Sequence, residues 1–353
     1  MATSFKSFDD NSTAITRNLL HEAIPITGSI VSGTYNDLNI KNYSHGMFQS
    51  VYDYPYLSSS ANHIFDLTAG YAADSHLVAA GNVQNAKKIN IYNEMAQVLV
   101  GYDETGAIRK FDEDGDFASV GTKIKEAYFV NFTRLLSKDE IKKGSFTLTL
   151  GAGNTYAAPF GANTIDLTDK SGSNGYKVNS PAGEYGILYA TGSALAGASV
   201  DSSGYVPAGL LYYQAGIAVV TASVFGGLLT TAADMDAAGN EIDAILTGSS
   251  ISGNCDALRH RMQNISFNNT VELNSTIYYC RVNNTDFNYS SNPTYLSSSK
   301  IVVKNSWDDQ PVTYMTSVGL YSPDNELLAV AKLSEPLKKD PATEFTLRVR
   351  LDY

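Results

Sequence analysis

From Ile265 onward the chain is a train of short runs, each long enough for one strand and each cut off by turn-forming residues. The runs are Asn264–Phe267, Thr276–Val282, Lys300–Lys304, Val312–Leu320, Leu327–Lys332 and Phe345–Leu351. Ser322-Pro323-Asp324-Asn325 separates two of them. Proline presets φ there, and Asp and Asn tolerate the return of the chain. In the last run Phe345, Leu347, Val349 and Leu351 fall on one side, and Thr346, Arg348, Arg350 and Asp352 on the other. A period of two is the mark of a strand with one buried face. The pattern predicts a C-terminal antiparallel β-sandwich or barrel.

The N-terminal two thirds are more mixed. Lys87–Val100 is the clearest helix, with Tyr92, Met95, Ala96 and Leu99 on one face and Gly101 to end it. Asn62–Tyr71, Glu126–Leu136 and Gly144–Leu150 read as strands, the last two joined by a charged turn, Ser137–Lys143. Gly209–Phe225 is too apolar for a surface, and its β-branched content favours a buried strand pair. Further helices are expected at Thr16–Ala23, Thr231–Leu246 and Cys255–Gln263, the last with Asn254 as N-cap. Ile26–Tyr35 reads as a strand or an extended arm. Residues 151–205 are rich in Gly, Ala, Ser and Asn, which fits either a long loop insertion or a lightly packed β element. The fold class is therefore α+β, predominantly β, with a few short helices. Three regions follow: 1–150 an N-terminal α+β region, 151–250 the Gly/Ala/Ser-rich insertion with buried strands, and 251–353 the C-terminal sandwich.

Charge and composition exclude several functions. The formal net charge is −11, and basic residues pair only at Lys87–Lys88, Lys142–Lys143 and Lys338–Lys339. Phosphate binding needs clustered Lys and Arg, so nucleic acid is not expected as a partner. Charged residues are only 17% of the chain, so its polar surface falls to Ser, Thr, Asn, Gly and 23 tyrosines. Tyrosine has an apolar body and a wet tip, which suits half-buried sheet faces and protein–protein contacts. No run of 18 apolar residues and no apolar leader occurs, so neither a membrane span nor a signal peptide is expected. Cys255 and Cys280 read as two reduced thiols.

Motifs for chemistry are missing. The sequence has no phosphate-binding G-x-x-x-x-G-K-[ST] and no G-x-S-x-G elbow, and no His lies at metal-ligand spacing from another His or a Cys. The run Asp112-Glu113-Asp114-Gly115-Asp116 resembles a calcium loop but departs from the EF-hand pattern, with Gly at position four and Lys123 at position twelve. It is expected to be a solvated turn. No catalytic residue, metal or cofactor is therefore expected.

Two groups of residues are candidates for subunit contact. Tyr52, Tyr54 and Tyr56 alternate around Pro55 in an aromatic stretch, Phe48–Ser60. They fit a packed loop or an interface equally. Arg348 and Arg350 lie on the charged side of the last strand. They belong either to an ordinary closing strand or to ion pairs with a neighbouring subunit.

The segment Val318–Tyr353, VGLYSPDNELLAVAKLSEPLKKDPATEFTLRVRLDY, is similar to a pattern in tail-fibre and baseplate-attached proteins of contractile-tailed phages. There a G-L-Y/F strand leads to a D-x-x-x-L-[IL]-A-V strand, a Lys/Pro stretch and a last strand alternating apolar and basic residues. Here these parts are Gly319-Leu320-Tyr321, Asn325–Val330, Pro336–Lys339 and Phe345–Leu351. Asn42–Gly70, Ile89–Leu99, Leu135–Phe146 and Gln214–Val219 resemble large virion structural proteins of marine and cyanobacterial phages. The resemblance implies a virion component made in the bacterial cytoplasm, without enzymatic activity. It would assemble with copies of itself and other virion proteins, at the tail or baseplate. A neck, collar or head-decoration protein is the alternative within that class. A receptor- or carbohydrate-binding adhesin, with Tyr52, Tyr54 and Tyr56 stacking on sugars, is the alternative outside it.

Overall fold

A computed structural model of the 353-residue chain describes residues 6–20, 25–28, 37–118, 120–136, 139–151, 155–160, 164–192, 205–226, 234–290, 292–298, 300–302 and 306–352. The first strands are β1 (Thr13–Leu20), β2 (Pro25–Gly28), β3 (Ile40–Asn42), β4 (Gln49–Tyr52) and β5 (His63–Tyr71), followed by helix α1 (Asn85–Leu99). Then come β6 (Phe111–Asp112), β7 (Lys123–Ile124), β8 (Glu126–Asn131), β9 (Glu140–Ile141), β10 (Thr147–Gly151) and β11 (Thr164–Thr168). After a short helix α2 (Gly172–Gly175) run β12 (Lys177–Ser180), β13 (Gly183–Gly192), β14 (Val206–Tyr212) and β15 (Ile217–Thr221). Helices α3 (Ile242–Gly248) and α4 (Ile251–Arg261) lead into β16 (Met262–Val282). The chain closes with β17 (Leu296–Ser297), β18 (Lys300–Ile301), β19 (Thr313–Tyr321), β20 (Leu327–Lys339) and β21 (Phe345–Asp352). The protein is thus α+β and predominantly β, with antiparallel sheets and few short helices.

Two compact units divide the chain, residues 21–271 and residues 1–20 with 272–353. In the larger unit the sheet runs β16-β10-β11-β13-β14-β15-β8-β5-β4-β3. Neighbouring strands along this path are antiparallel. The Gly/Ala/Ser-rich stretch supplies β11 and β13, which stand in the middle of this order. The apolar run 209–225 forms β14 and β15 with their turn, and Leu210, Leu211, Val219 and Val220 are fully buried.

Helix α1 packs closely on β5, and glycine makes the approach possible. A methyl group on Gly70 would lie 2.5 Å from the Lys88 carbonyl oxygen and 3.0 Å from the Tyr92 nitrogen. Of the expected face, Tyr92, Ala96 and Leu99 are buried and Met95 half-buried, and Ile91 joins them in the core. From α4 the Cys255 thiol donates to the Leu67 carbonyl on β5 at 3.3 Å. Phe132 joins Phe65, Phe146 and Phe267 in one aromatic cluster, with ring centroids 5.7–6.1 Å apart.

Several sequence expectations are corrected. Thr16–Ala23 is not helical where described: Thr13–Leu20 is strand β1. The β-branched Thr13, Ile15 and Thr16 resist a helix, and exposure alternates from Thr13 to Thr16. Of Ile26–Tyr35 only the part within β2 is described; residues 29–35 lie outside the described residues. The expected helix at Thr231–Leu246 is confined to α3. Before it, the Asp236 carboxylate accepts from the Ala238 and Asn240 amides at 3.0 and 3.2 Å, closing a turn instead. Ser250, not Asn254, caps α4, its hydroxyl accepting from the Gly253 amide at 3.2 Å. Asn254 is buried inside the helix. Strand β8 stops at Asn131, whose side chain accepts from the Thr133 amide at 2.9 Å and starts a 3-10 turn. The two runs at 264–267 and 276–282 belong to one long strand, β16. Both cysteines are free thiols.

Candidate functional site

In the smaller unit, β19 and β20 form a hairpin that pairs with no other strand among the described residues. Its tip is the Ser322-Pro323-Asp324-Asn325 turn. Ser322 and Glu326 close it, amide to carbonyl at 2.9 Å, and Asn325 takes a φ of +64°. Its base is clamped. The Lys339 side chain is fully buried, and its ammonium donates to Asn284 O at 3.0 Å, Asn288 Oδ1 at 2.7 Å and Asp340 O at 2.7 Å. Thr313 Oγ1 donates to Phe287 O at 2.7 Å. Between base and tip the ladder breaks: Met315 pairs with Leu337 and Ser317 with Lys332, so residues 333–336 bulge out of β20.

Beyond the bulge the arm carries apolar side chains in water. Leu327, Leu328 and Val330 are 53%, 67% and 54% exposed, and Tyr321 is 44% exposed. Single exposed apolar residues are ordinary; here several lie on a strand pair whose outer edges pair with no other strand among the described residues. Beside the hairpin, still within the smaller unit, lies a groove of about 1130 Å³ lined by Phe8, Tyr279, Arg281, Phe287, Tyr314 and Leu347 among others.

The last strand behaves as its alternation predicts. β21 pairs with β16 from Ser275↔Asp352 to Val282↔Phe345. Val349 is buried and Phe345, Leu347 and Leu351 half-buried, whereas Thr346, Arg348, Arg350 and Asp352 are exposed. The two arginines differ. Arg350 Nε donates to Asp352 Oδ1 at 2.6 Å and to Ser275 Oγ at 3.2 Å. Arg348 stands opposite Tyr279 and faces solvent.

Tyr52, Tyr54 and Tyr56 belong to the larger unit. Tyr52 ends β4 and sits 5.3 Å, ring to ring, from His63 and 6.3 Å from Tyr56. Tyr54 is 57% exposed, and Leu57, three residues on, is 85% exposed.

The ionisable groups of the larger unit are tied into the fold. Asp66 accepts from the Ser50 hydroxyl and lies 2.7 Å from His63 Nε2. A nucleophilic relay needs the imidazole between hydroxyl and carboxylate; here the carboxylate is in the middle. The Lys143 ammonium donates to Glu140 Oε1 at 2.9 Å and lies 2.6 Å from Glu184 Oε2, with all three side chains largely buried. Hydrogen bonds to Glu184 and Glu140 hold the Lys143 pKa above its ordinary value although burial opposes it. Sequence reasoning placed Lys143 in a charged turn and Lys339 in a basic pair. No sequence signal separates these two from their exposed neighbours, because burial of one ammonium depends on distant oxygens. Among the described residues no helix is long and apolar enough to cross a membrane. No protein-family model, curated protein or solved structure matches this chain.

Proposed function

We propose that the chain is a structural subunit of a tailed-phage particle, working in the tail or baseplate through contacts with copies of itself and with other virion proteins. The observation that carries this reading is the β19–β20 hairpin: clamped at its base, unpaired at both edges and apolar beyond its bulge. Such an arm is costly to expose in a finished soluble protein and useful in one that is later covered. The hairpin and β21 also span the segment, Val318–Tyr353, whose sequence resembles fibre- and baseplate-attached proteins. A neck, collar or head position uses the same surface and differs only in the neighbour. The aromatic and polar lining of the adjacent groove favours a second reading, a receptor- or carbohydrate-binding adhesin.

The test is sedimentation with purified particles, together with light scattering of the isolated protein. The chain is expected to band with the particles and to form a defined oligomer alone or with a neighbouring virion protein. Leu328→Lys with Val330→Lys is expected to abolish that association without unfolding the chain, since both side chains are exposed. A chain absent from particles that binds glycans as a monomer would replace this reading with the adhesin.

A further inference from the structure

One edge of the hairpin faces inward. Every residue of β19, from Thr313 to Tyr321, lines the groove of about 1130 Å³ in the smaller unit, and no residue of β20 does. A sheet face would contribute every second residue and would share the lining between both strands. An unbroken run from one strand alone means that the groove follows the edge of β19.

That edge is unsatisfied. Among the described residues β19 pairs only with β20. At its start the Tyr314 amide donates to the Tyr295 hydroxyl at 3.2 Å. From Met315 to Leu320 no backbone group makes a hydrogen bond outside the hairpin among the described residues. The stretch is sheltered nonetheless: Leu320 is buried, and Met315 and Val318 are half-buried. A row of unpaired amides and carbonyls along a strand is a template for one more strand.

The lining narrows what that strand is. Phe8, Phe287 and Tyr289 are exposed in the groove and offer apolar contact to alternate side chains of an added strand. Arg281 and Asp9 also line it, and neither has an ion-pair partner among the described residues, whereas Lys6 is paired with Asp286. A neutral glycan leaves both charges unanswered, and a polyanion meets Asp9. A polypeptide can answer both. The groove also exceeds the about 300–1,000 Å³ of ordinary small-molecule pockets. We propose that it takes an extended polypeptide segment, which adds to the Met315–Leu320 edge as a third strand and brings a carboxylate to Arg281. Main-chain hydrogen bonds supply the affinity of such an addition, and the side-chain contacts its specificity. The inference rests on the reading of the chain as an assembling virion subunit for the owner of that segment, a neighbouring virion protein.

The full-length protein is titrated into a fluorescein-labelled peptide that alternates valine and threonine and carries one glutamate and one lysine. Anisotropy is expected to show binding with a Kd on the order of 10–100 μM. Amide hydrogen exchange across residues 315–320 is expected to slow at least about tenfold in the complex. Two further peptides are N-methylated, one at its odd and one at its even residues. A strand on an edge turns only one set of amides to its partner, so one peptide is expected to bind at least about tenfold more weakly and the other to change little. Arg281→Glu alters an exposed side chain; the folded variant is expected to lose about tenfold in affinity and to regain it when lysine replaces the peptide's glutamate. No binding, equal binding of the two methylated peptides, or unchanged exchange at 315–320 would overturn the proposal. A chain that bands with particles yet fails these tests keeps the virion reading and loses this one. A chain that passes them but is absent from particles keeps the strand site and loses the virion reading.

Discussion

Lys143→Met isolates the energetics of the buried Glu140–Lys143–Glu184 cluster in the larger unit. The Lys143 ammonium lies 2.9 Å from Glu140 Oε1 and 2.6 Å from Glu184 Oε2, so those oxygens are at most the sum of the two, about 5.5 Å, apart. Glu140 is 1% exposed and Glu184 7%. Without the ammonium, two carboxylates face each other out of water. At an effective dielectric of about 20, unit charges about 5.5 Å apart repel by about 3 kcal/mol. That agrees with the roughly 3–5 kcal/mol lost when one partner of a buried pair is removed. Methionine keeps most of the stem's bulk but gives up the ammonium, which also stands over the Tyr176 and Tyr213 rings at 5.0 and 5.4 Å, so the loss is electrostatic in origin. Urea unfolding at pH 7, followed by circular dichroism, is expected to show a drop of about 3–5 kcal/mol in Lys143→Met. Adding Glu184→Gln removes the like-charge repulsion and is expected to restore about half of it. In the parent, the raised Lys143 pKa means this contribution is complete below the unfolded value of 10.5 and is lost as pH climbs through the higher folded value. A loss under about 1 kcal/mol, or no recovery with Glu184→Gln, would refute the argument.

Two further outcomes follow from the geometry. Gly70→Ala drives a methyl group into the backbone of α1 and is expected to cost about 2–4 kcal/mol, read as a lower urea midpoint at unchanged slope. Burial pushes the Asp169 carboxyl up to about 6, only partly offset by donors from Gly144, Phe146 and Tyr213. A raised carboxyl pKa stabilises the fold fully below about 4 and less as pH rises through about 6. The parent is therefore expected to lose about 2–3 kcal/mol relative to Asp169→Asn between pH 4 and 7, measured by urea unfolding at both.

The sequence was most legible where one periodicity governs one element. β5, α1 and β21 lie where alternation or a helical stripe puts them, and the apolar run 209–225 is a buried strand pair. It was least legible where structure depends on partners far along the chain. β11, Thr164–Thr168, alternates buried and half-buried residues but is short and set among Gly/Ala/Ser-rich stretches, so a loop reading stays open for the region, yet ladders from both sides hold β11 and β13 in the sheet. Asn254 has the residue type of a cap, but Ser250 stands where the φ/ψ of a helix entrance falls. The acid loop reads as a solvated turn because EF-hand spacing fails. The burial of Asp112 and the bond from the Tyr185 hydroxyl to the Gly115 carbonyl appear only once β13 lies beneath it. Of the interface candidates, Arg348 is solvent-facing and Arg350 is tied to Asp352; the exposure of residues 327–332 has no sign in the sequence beyond a strand pattern.

The bulge in β20 works as a ruler. Pro336 has no N–H, and the ladder is out of register across residues 333–336. A strand from another chain adding to this edge therefore cannot run its full length. It can match residues 327–332 and must then stop, so a fitting partner presents a short segment of about six residues. Longer flat strands, including those of a misfolded copy, would run into the bulge. An edge interrupted in this way admits only a short added strand and discourages open-ended stacking of the chain on itself.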